Sequence, residues 1–326
     1  MALDVPGSGP EFAPVAPETY LAASAVAQYV RHDPTLARRS AVEGLEAHPE
    51  DVHLMRRVAS FEATDAPEQA LGVLRRAVQL DPRSVSSLGS LATVLMNLHR
   101  SDEARDAVMQ GLQLDPVNLR LLQLELITYL QQGNLAGARR ALEALPPDMD
   151  QARLAAYLAT YLDMYWVLTD AQQRLLLTLP PSAFDNDRAT WAAVRMETYW
   201  LRGDTATARA YADTARAAYL GWNAPDDPQT HQLLGVALAY LGRYDEAIRE
   251  ARRGVELSGE SVGNRTYGMH QLARVYALAG KPDLAVDQLE QLITMPYYVT
   301  RRWLPVDPAF APLRGNPRFE RLVSAR

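Results

Sequence analysis

A spacing of small and apolar residues repeats along this chain, although the residues themselves change. The segment LATVLMNLHRSDEARDAVMQGLQL at residues 91–114 and the segment LGVALAYLGRYDEAIREARRGVEL at residues 234–257 share this spacing. Within residues 85–118, apolar and small residues recur at helical spacing from Leu88 to Leu95 and again from Ala104 to Gly111. The pattern predicts pairs of antiparallel helices that pack through one recurring set of positions, while the outer surface varies.

Small residues mark the closest contacts of each predicted helix pair. A spacing of about 34 residues gives units that start near residues 18, 51, 85, 119, 152, 189, 228 and 266. The close-contact position of the second helix is occupied in six units by Ala70, Ala104, Ala138, Ala208, Ala247 and Ala285. Where the two helices of a pair join, the chain has the glycines that a left-handed helix C-cap favours, namely Gly133, Gly203, Gly242 and Gly280.

This pattern resembles the tetratricopeptide repeat, which requires a certain residue size at these positions but no fixed identity. The resemblance implies an all-α fold, a right-handed superhelix of about eight helix–turn–helix repeats closed by a C-terminal cap.

The chain divides by composition into five segments. Residues 1–12 (MALDVPGSGPEF) have the character of a leader added by cloning and do not enter the fold prediction. We expect N-terminal repeats over residues 13–149, an irregular repeat and subdomain hinge over 150–188, and C-terminal repeats over 189–295. Residues 296–326 interrupt the pattern with X-Pro steps and predict a segment that caps the apolar face of the last repeat.

Residues 201–322 carry a narrower resemblance. Their segments LRGDTATARAYADTA, ARVYALAGKPDLAVDQLEQLI and DPAFAPLRGNPRFERL are similar to the C-terminal repeat regions of bacterial serine/threonine protein kinases and related signalling proteins. This resemblance implies a sensor or docking module that follows a kinase domain and often a membrane segment. The chain itself has no Gly-rich nucleotide loop, HRD or DFG motif, so any kinase activity would belong to another part of such a protein.

Composition and motifs argue against catalysis, cofactors and nucleic acid. The net charge of −6 predicts no nucleic-acid partner, and the lack of cysteine excludes thiolate chemistry but fits either side of a bacterial membrane. Lys281 is the only lysine, and no H-E-x-x-H or G-x-S-x-G motif occurs. We therefore expect no enzyme activity, cofactor or metal site, and we expect the histidines to face solvent or lie in turns. The apolar stretch at residues 154–169 is short for a membrane span and contains Asp163, so we expect no bilayer crossing.

Binding is then expected on the inner surface of the superhelix. In such repeats the first helix of each unit lines a concave groove through the positions that point away from the second helix. These positions predict a groove formed by Asn97, Gln123, Gln131, Arg153, Asp163, Glu197, Trp200, Tyr240, Tyr267, His270 and Arg274. Within it, we expect Glu197, Trp200, Tyr240 and Arg274 to form one patch within reach of an extended peptide.

Aromatic residues concentrate between residues 157 and 222. Tyr157, Tyr161 and Tyr165 follow one another at i, i+4 and i+8, which predicts one shared helix face. The rings either fill the irregular repeat or form a groove wall for a peptide, or for a small ligand near Tyr161, Trp166 and Trp200.

The sequence therefore predicts a protein–protein interaction scaffold that binds a peptide or partner domain in bacterial signalling. The alternative is a small-ligand sensor module of a membrane-anchored, kinase-type regulator, and a structural self-assembly module is a third hypothesis. The identity of the partner, the oligomeric state and the compartment stay open.

Overall fold

The computed structural model describes residues 15–31 and 33–325, and over these residues the chain forms helices and turns without a β-strand. The described part has seventeen α-helices. They are α1 Pro17–Tyr29, α2 Pro34–Ala47, α3 Val52–Glu62, α4 Pro67–Leu80, α5 Val85–Asn97, α6 Ser101–Leu114, α7 Leu119–Gln131, α8 Leu135–Glu143, α9 Gln151–Thr160, α10 Asp170–Leu176, α11 Arg188–Leu201, α12 Thr205–Gly221, α13 Pro228–Tyr240, α14 Tyr244–Leu257, α15 Val262–Leu278, α16 Pro282–Leu292 and α17 Pro317–Ser324. Short 3-10 helices lie at Met164–Trp166, Pro181–Phe184 and Pro308–Leu313.

The helices α1 to α16 pack as eight consecutive pairs, from α1 on α2 to α15 on α16. The first helices of successive pairs also contact one another, from α1 to α15, and together they form the inner wall of a superhelix. The pairs start close to the predicted positions, the largest difference being a predicted start near residue 266 against Val262. The predicted all-α repeat fold of about eight helix pairs is therefore confirmed.

Close packing within each pair depends on the small residues. The six alanines of the second-helix pattern are all completely buried. Gly235 on α13 shows how closely two helices run, because a Cβ atom there would lie only 2.9 Å from the carbonyl oxygen of Ala247 on α14. The turn glycines adopt the predicted left-handed conformation, with φ angles of 71°, 83°, 78° and 66° at Gly133, Gly203, Gly242 and Gly280.

Polar caps define where the first helix of a pair begins. Asp51 accepts a hydrogen bond from the Leu54 amide at 2.8 Å, and Asn118 accepts one from the Leu121 amide at 3.1 Å. These side chains satisfy amides that have no partner inside the helix, so they fix the residue at which each unit of the array starts.

The fifth pair departs from the regular pattern. Helix α9 ends at Thr160, and Leu162 and Asp163 then have φ angles of 67° and 54° before the 3-10 helix Met164–Trp166. The expectation that Tyr157, Tyr161 and Tyr165 share one helix face is therefore wrong, because the helix stops before Tyr161. We call residues 161–169 the inner turn.

The chain after α16 packs on the last repeat and also crosses the inner wall. The 3-10 helix Pro308–Leu313 contacts α15, and α17 contacts α16. Phe310 and Phe319 are buried in these contacts. The preceding residues 295–307, which we call the crossing segment, reach the turns that follow α5 and α7. The proposed cloning leader at residues 1–12 lies outside the described residues, and the segment boundaries, including the hinge, stay predictions.

Candidate binding surface

A buried ion cluster closes the inner wall in the C-terminal half of the array. Arg274 on α15 donates hydrogen bonds to Glu197 on α11 and to Asp163 in the inner turn, the latter at 2.9 Å. Arg274 and Glu197 are only 4% and 5% exposed. Burial raises the pKa of Glu197 to about 8. The positive charge of Arg274 lowers this pKa, and the negative charge of Asp163 raises it. One arginine thus binds two carboxyl groups, and both Arg274 and Glu197 are buried.

Aromatic side chains surround this cluster. Tyr165 accepts a hydrogen bond from Arg274 at 3.4 Å, and the rings of Trp200 and Tyr240 meet edge to face with their centroids 5.1 Å apart. Burial raises the pKa of the Tyr240 hydroxyl to about 12. These rings pack against each other and against the cluster, as aromatic pairs in protein cores do.

His270 lies in the same closed region. Its Nδ1 atom is 3.3 Å from the Tyr297 hydroxyl, and its Nε2 atom is 3.9 Å from a carboxylate oxygen of Asp307, too far for a hydrogen bond. Burial and then the charge of Arg274 lower the pKa of His270 to about 3. The expectation that histidines face solvent or lie in turns is wrong for His270, which is a neutral core residue.

The crossing segment occupies the inner wall next to His270. Gln131 at the end of α7 donates to the carbonyl of Tyr298 at 3.0 Å, and Thr300 donates back to the Gln131 carbonyl at 2.7 Å. The ring of His99, in the turn after α5, lies 2.9 Å from the carbonyl oxygen of Tyr297. The chain therefore fills part of its own groove with a segment that is hydrogen-bonded through its backbone.

One part of the inner wall stays open. A cavity of about 810 Å³ lies between the start of α7, helix α9 and the 3-10 helix Pro181–Phe184. Among the residues that line it are Arg120, Arg153, Tyr157, Tyr161 and Phe184. The rings of Tyr157 and Tyr161 lie 4.7 Å apart, and Tyr161 is 53% exposed. We call this volume the open cavity.

Neither arginine of the open cavity forms an ion pair with another described residue. Arg120 donates one hydrogen bond, to the Thr93 hydroxyl at 3.3 Å. Burial raises the pKa of the Tyr157 hydroxyl, an effect that the nearby Arg120 charge opposes. The open cavity thus combines aromatic rings, two unpaired guanidinium groups and the carboxyl groups of Asp115, Asp185 and Asp187.

Comparison with protein-family models agrees with the helix pairs of the structure. Residues 197–261 match one family model described as a tetratricopeptide repeat, and residues 127–144 and 267–291 match a second with the same description. These segments of the chain carry tetratricopeptide repeats. No curated protein is significantly similar to it in sequence.

Several solved structures resemble the chain at low sequence identity. A tetratricopeptide repeat protein from Parabacteroides merdae is 16% identical, with a TM-score of 0.48 over 78% of this chain and 98% of that one. The Cut9–Hcn1 hetero-tetramer of the APC/C contains a chain that is 16% identical, with a TM-score of 0.46 over 92% of this chain and 54% of that one. A thermophilic protein of Thermus thermophilus is 20% identical, with a TM-score of 0.36 over 68% of this chain and 99% of that one.

The described part of the chain offers no site for a metal ion, since no three of its His, Asp and Glu residues are grouped to hold one. Within residues 15–31 and 33–325, no helix combines the length and the apolar character that a membrane span needs.

The structure separates the predicted groove residues of these repeats into three sets. Arg153 lines the open cavity. Asn97 donates to the Ala63 carbonyl at 3.3 Å, and Gln123 donates to the Tyr161 carbonyl at 2.6 Å, so both tie neighbouring repeats together. The remaining predicted residues belong to the closed region around the ion cluster and the crossing segment; they are Gln131, Asp163, Glu197, Trp200, Tyr240, Tyr267, His270 and Arg274.

The predicted patch residues lie in this closed region, where Arg274 donates to Glu197 and the ring of Trp200 packs on that of Tyr240. The expected access of this patch to a peptide is wrong, since Glu197, Tyr240 and Arg274 are all buried. The inner turn and the crossing segment cover this part of the wall, and both come from irregular regions of the sequence that no repeat pattern could place.

The three aromatic residues predicted near a small ligand lie in separate places. Tyr161 stacks near Tyr157 at the open cavity, Trp166 packs edge to face on Trp303, and Trp200 packs on Tyr240. The structure therefore gives no support to one small-ligand site formed by Tyr161, Trp166 and Trp200.

Sequence reasoning missed Arg120 as a groove residue. It is the second residue of the unit that starts at residue 119, which is the position that Arg153 occupies in the next unit. The repeat pattern therefore contained the signal. Phe184 gave no such signal, because it follows the two prolines of the irregular repeat.

Proposed function

We propose that this protein is a protein–protein interaction scaffold that binds an extended peptide segment of a partner protein in the open cavity, within a bacterial signalling pathway. The observation that carries the proposal is the open cavity itself. It offers exposed arginines and a pair of tyrosine rings on the inner wall of a repeat array, while most other residues of the predicted groove are buried, namely Gln123, Gln131, Glu197, Tyr240, His270 and Arg274.

The chemistry of the open cavity suits a peptide. Its volume of about 810 Å³ falls within the range of about 300–1,000 Å³ that is common for ligand pockets. Tyrosine rings provide rigid contact area for an apolar side chain, and arginines donate to carbonyl or carboxylate oxygens. Tetratricopeptide repeats in general mediate protein–protein interaction, and a concave wall of stacked helices is the surface that such arrays use for it.

The signalling role rests on the resemblance of residues 201–322 to the repeat regions of bacterial signalling kinases. It predicts that the bound peptide comes from a protein that acts in the same pathway as such a kinase. A gene for a kinase or its substrate next to the gene for this protein would support this part of the proposal, and a partner with a purely metabolic role would contradict it.

The binding proposal is tested with a peptide selected against the protein from a random display library. The selected peptide is labelled and titrated by fluorescence anisotropy against the wild type and against Tyr157→Ala and Arg153→Ala. Matched controls are Tyr244→Ala and Arg209→Ala, which change exposed residues on α14 and α12.

We expect Tyr157→Ala to weaken binding by about 2 kcal/mol, as truncation of an aromatic anchor does, and Arg153→Ala to weaken it by about 1 to 3 kcal/mol. We expect both controls to bind like the wild type. Equal affinity of all five proteins, each folded by circular dichroism, would contradict the assignment of the open cavity.

A further inference from the structure

A second, smaller cavity adjoins the open cavity on the same inner wall. It has a volume of about 190 Å³ and lies between α3, α5 and α7. Arg56 and Arg120 line it together with the hydroxyl residues Ser60, Ser90 and Thr93. Arg120 lines both cavities, so its side chain lies between them.

The two guanidinium groups of this small cavity have no acidic partner. Neither Arg56 nor Arg120 forms an ion pair with a described residue, and no Asp or Glu lines the cavity. Exposed arginines elsewhere in the chain pair readily, as Arg243 does with Glu246 at 2.6 Å. The small cavity is therefore a site where two positive charges are held without a counter-charge.

One donor of this pair is buried as well as unpaired. The Nε atom of Arg56 is inaccessible to solvent and has no hydrogen-bond partner among the described residues. Burial, followed by the charge of Arg120, lowers the pKa of Arg56. The two like charges of Arg56 and Arg120 repel each other, and an anion bound between the guanidinium groups would offset this repulsion.

The type of anion follows from the charges and donors. A dianion balances both arginines, whereas a single carboxylate leaves one positive charge in the cavity. Guanidinium groups bind phosphate oxygens through paired hydrogen bonds, and the Ser90 hydroxyl can donate to a further oxygen. The hydroxyls of Ser60 and Thr93 already donate to the carbonyls of Arg57 and Gly89. A phosphoryl group, whose second pKa is about 6, is mainly a dianion at neutral pH.

We propose that Arg56 and Arg120 bind the phosphoryl group of a phosphorylated side chain, carried by the peptide that lies in the open cavity. This inference rests on the proposed function for the source of the phosphoryl group, but the anion site itself can be tested without any peptide. Arg120 has two roles, because it contacts the peptide next to the phosphorylated residue and shares the phosphoryl group with Arg56.

The first experiment uses inorganic phosphate as the probe. Its binding at pH 8 is measured by isothermal titration calorimetry at constant ionic strength, with acetate as the monoanion control. We expect phosphate to bind and acetate not to bind, and we expect Arg56→Gln and Arg120→Gln each to weaken phosphate binding by about tenfold or more. Arg209→Gln, a change of an exposed and unpaired arginine on α12, should leave phosphate binding unchanged.

The second experiment asks whether the phosphoryl group comes from a peptide. Two labelled peptide libraries are compared, one with a fixed central phosphorylated residue and one with the same residues unphosphorylated. We expect the phosphorylated library to bind the wild type at least about tenfold more tightly, and we expect Arg56→Gln to remove this difference. Thr93→Val, which keeps the size of the side chain but removes the hydroxyl that accepts a hydrogen bond from Arg120, serves as a second variant and should weaken only the phosphorylated library.

The results separate this proposal from the proposed function. If Tyr157→Ala abolishes peptide binding while the Arg56 variant binds phosphate and both libraries like the wild type, the open cavity is supported and the phosphoryl site is overturned. If phosphate binds through Arg56 but phosphorylation of the library brings no gain, the assignment to a phosphorylated side chain is overturned. Equal binding of acetate and phosphate also overturns it.

Discussion

Arg274 and Asp163 are separated by 111 positions in the sequence and are joined by a hydrogen bond of 2.9 Å between Nη1 and Oδ2. This bond fixes the inner turn of the fifth repeat against α15 of the eighth. The same guanidinium reaches Glu197 on α11, so three distant parts of the array meet at one buried side chain. The C-terminal half of the inner wall is therefore closed by polar contacts rather than left open for a partner.

Replacing Arg274 with Met tests how much this cluster stabilises the fold. The variant leaves the Asp163 carboxylate without its ion-pair partner and Glu197 without its hydrogen-bond donor, and removal of one member of a buried ion pair costs about 3–5 kcal/mol. We expect the free energy of unfolding in urea at pH 7 to fall by that amount. Arg209→Met, on an exposed face of α12, is the matched control and should change it by less than about 0.5 kcal/mol. A fall of the same small size for Arg274→Met would show that the cluster does not hold the repeats together.

The lowered pKa of His270 predicts that the free energy of unfolding decreases in acid. Its pKa is about 3 in the folded protein, against 6.5 ordinarily, so the unfolded chain binds more protons between these pH values. The contribution of His270 is complete above pH 6.5 and is lost as the pH falls, by about 1.4 kcal/mol per pH unit. Burial raises the pKa of Glu197 and Asp307, so these groups act in the opposite direction.

Because other groups also titrate in this range, the effect of His270 is measured as a difference between the wild type and a variant without this histidine. The free energy of unfolding of the wild type minus that of His270→Gln is determined in urea at pH 7, 6, 5 and 4. We expect this difference to shrink steadily below pH 6.5. A difference that stays constant from pH 7 to pH 4 would show that His270 takes up its proton in the folded state.

Ala104 and Ala247 test the register of the repeats. Both are completely buried at the closest contact of their helix pairs, so a leucine at either position overpacks the pair and costs about 1–3 kcal/mol. Thermal melts of Ala104→Leu and Ala247→Leu should show lowered midpoints. Ala206→Leu, at an exposed position of α12, should melt like the wild type. Unchanged midpoints for the buried pair would mean that these positions are not the close contacts of the array.

Removal of residues 296–326 tests the role of the C-terminal chain. A protein that ends at Met295 loses Phe310 and Phe319 from the last repeat and the crossing segment from the inner wall. We expect the apolar surface exposed in this way to cause concentration-dependent association, seen by light scattering. A protein that ends at Ser324 keeps α17 and should behave like the full chain. A monomeric protein of full stability after removal of residues 296–326 would contradict the prediction.

The fold was largely predictable because its packing repeats. Positions such as Ala104 and Gly235 must be small wherever two helices cross closely, and this requirement recurs along the chain at a constant spacing. The pattern therefore located the helix pairs and the left-handed turn glycines. It did not locate the inner turn, in which Asp163 binds Arg274 at a distance of 111 positions in the sequence.

The candidate site was less predictable, because the repeat pattern does not show which inward-facing residues other segments cover. The repeat pattern identifies which residues face inward, but inward-facing residues such as Glu197 and Arg274 are buried once other segments cover them. The crossing segment comes from a part of the chain without a repeat, and its partner Gln131 lies 167 positions before Tyr298. Only the structure shows that Arg120 and Arg153 remain accessible while the predicted patch does not.

The most direct test of the account is hydrogen exchange, followed by mass spectrometry, of the protein with and without the display-selected peptide. We predict that the peptide slows exchange at the start of α7, in α9 and at residues 181–190, which surround the open cavity. We predict no change in α15 or in the crossing segment, residues 295–307. Altered exchange in the crossing segment, with none around the open cavity, would show that the peptide displaces this segment and would contradict the account.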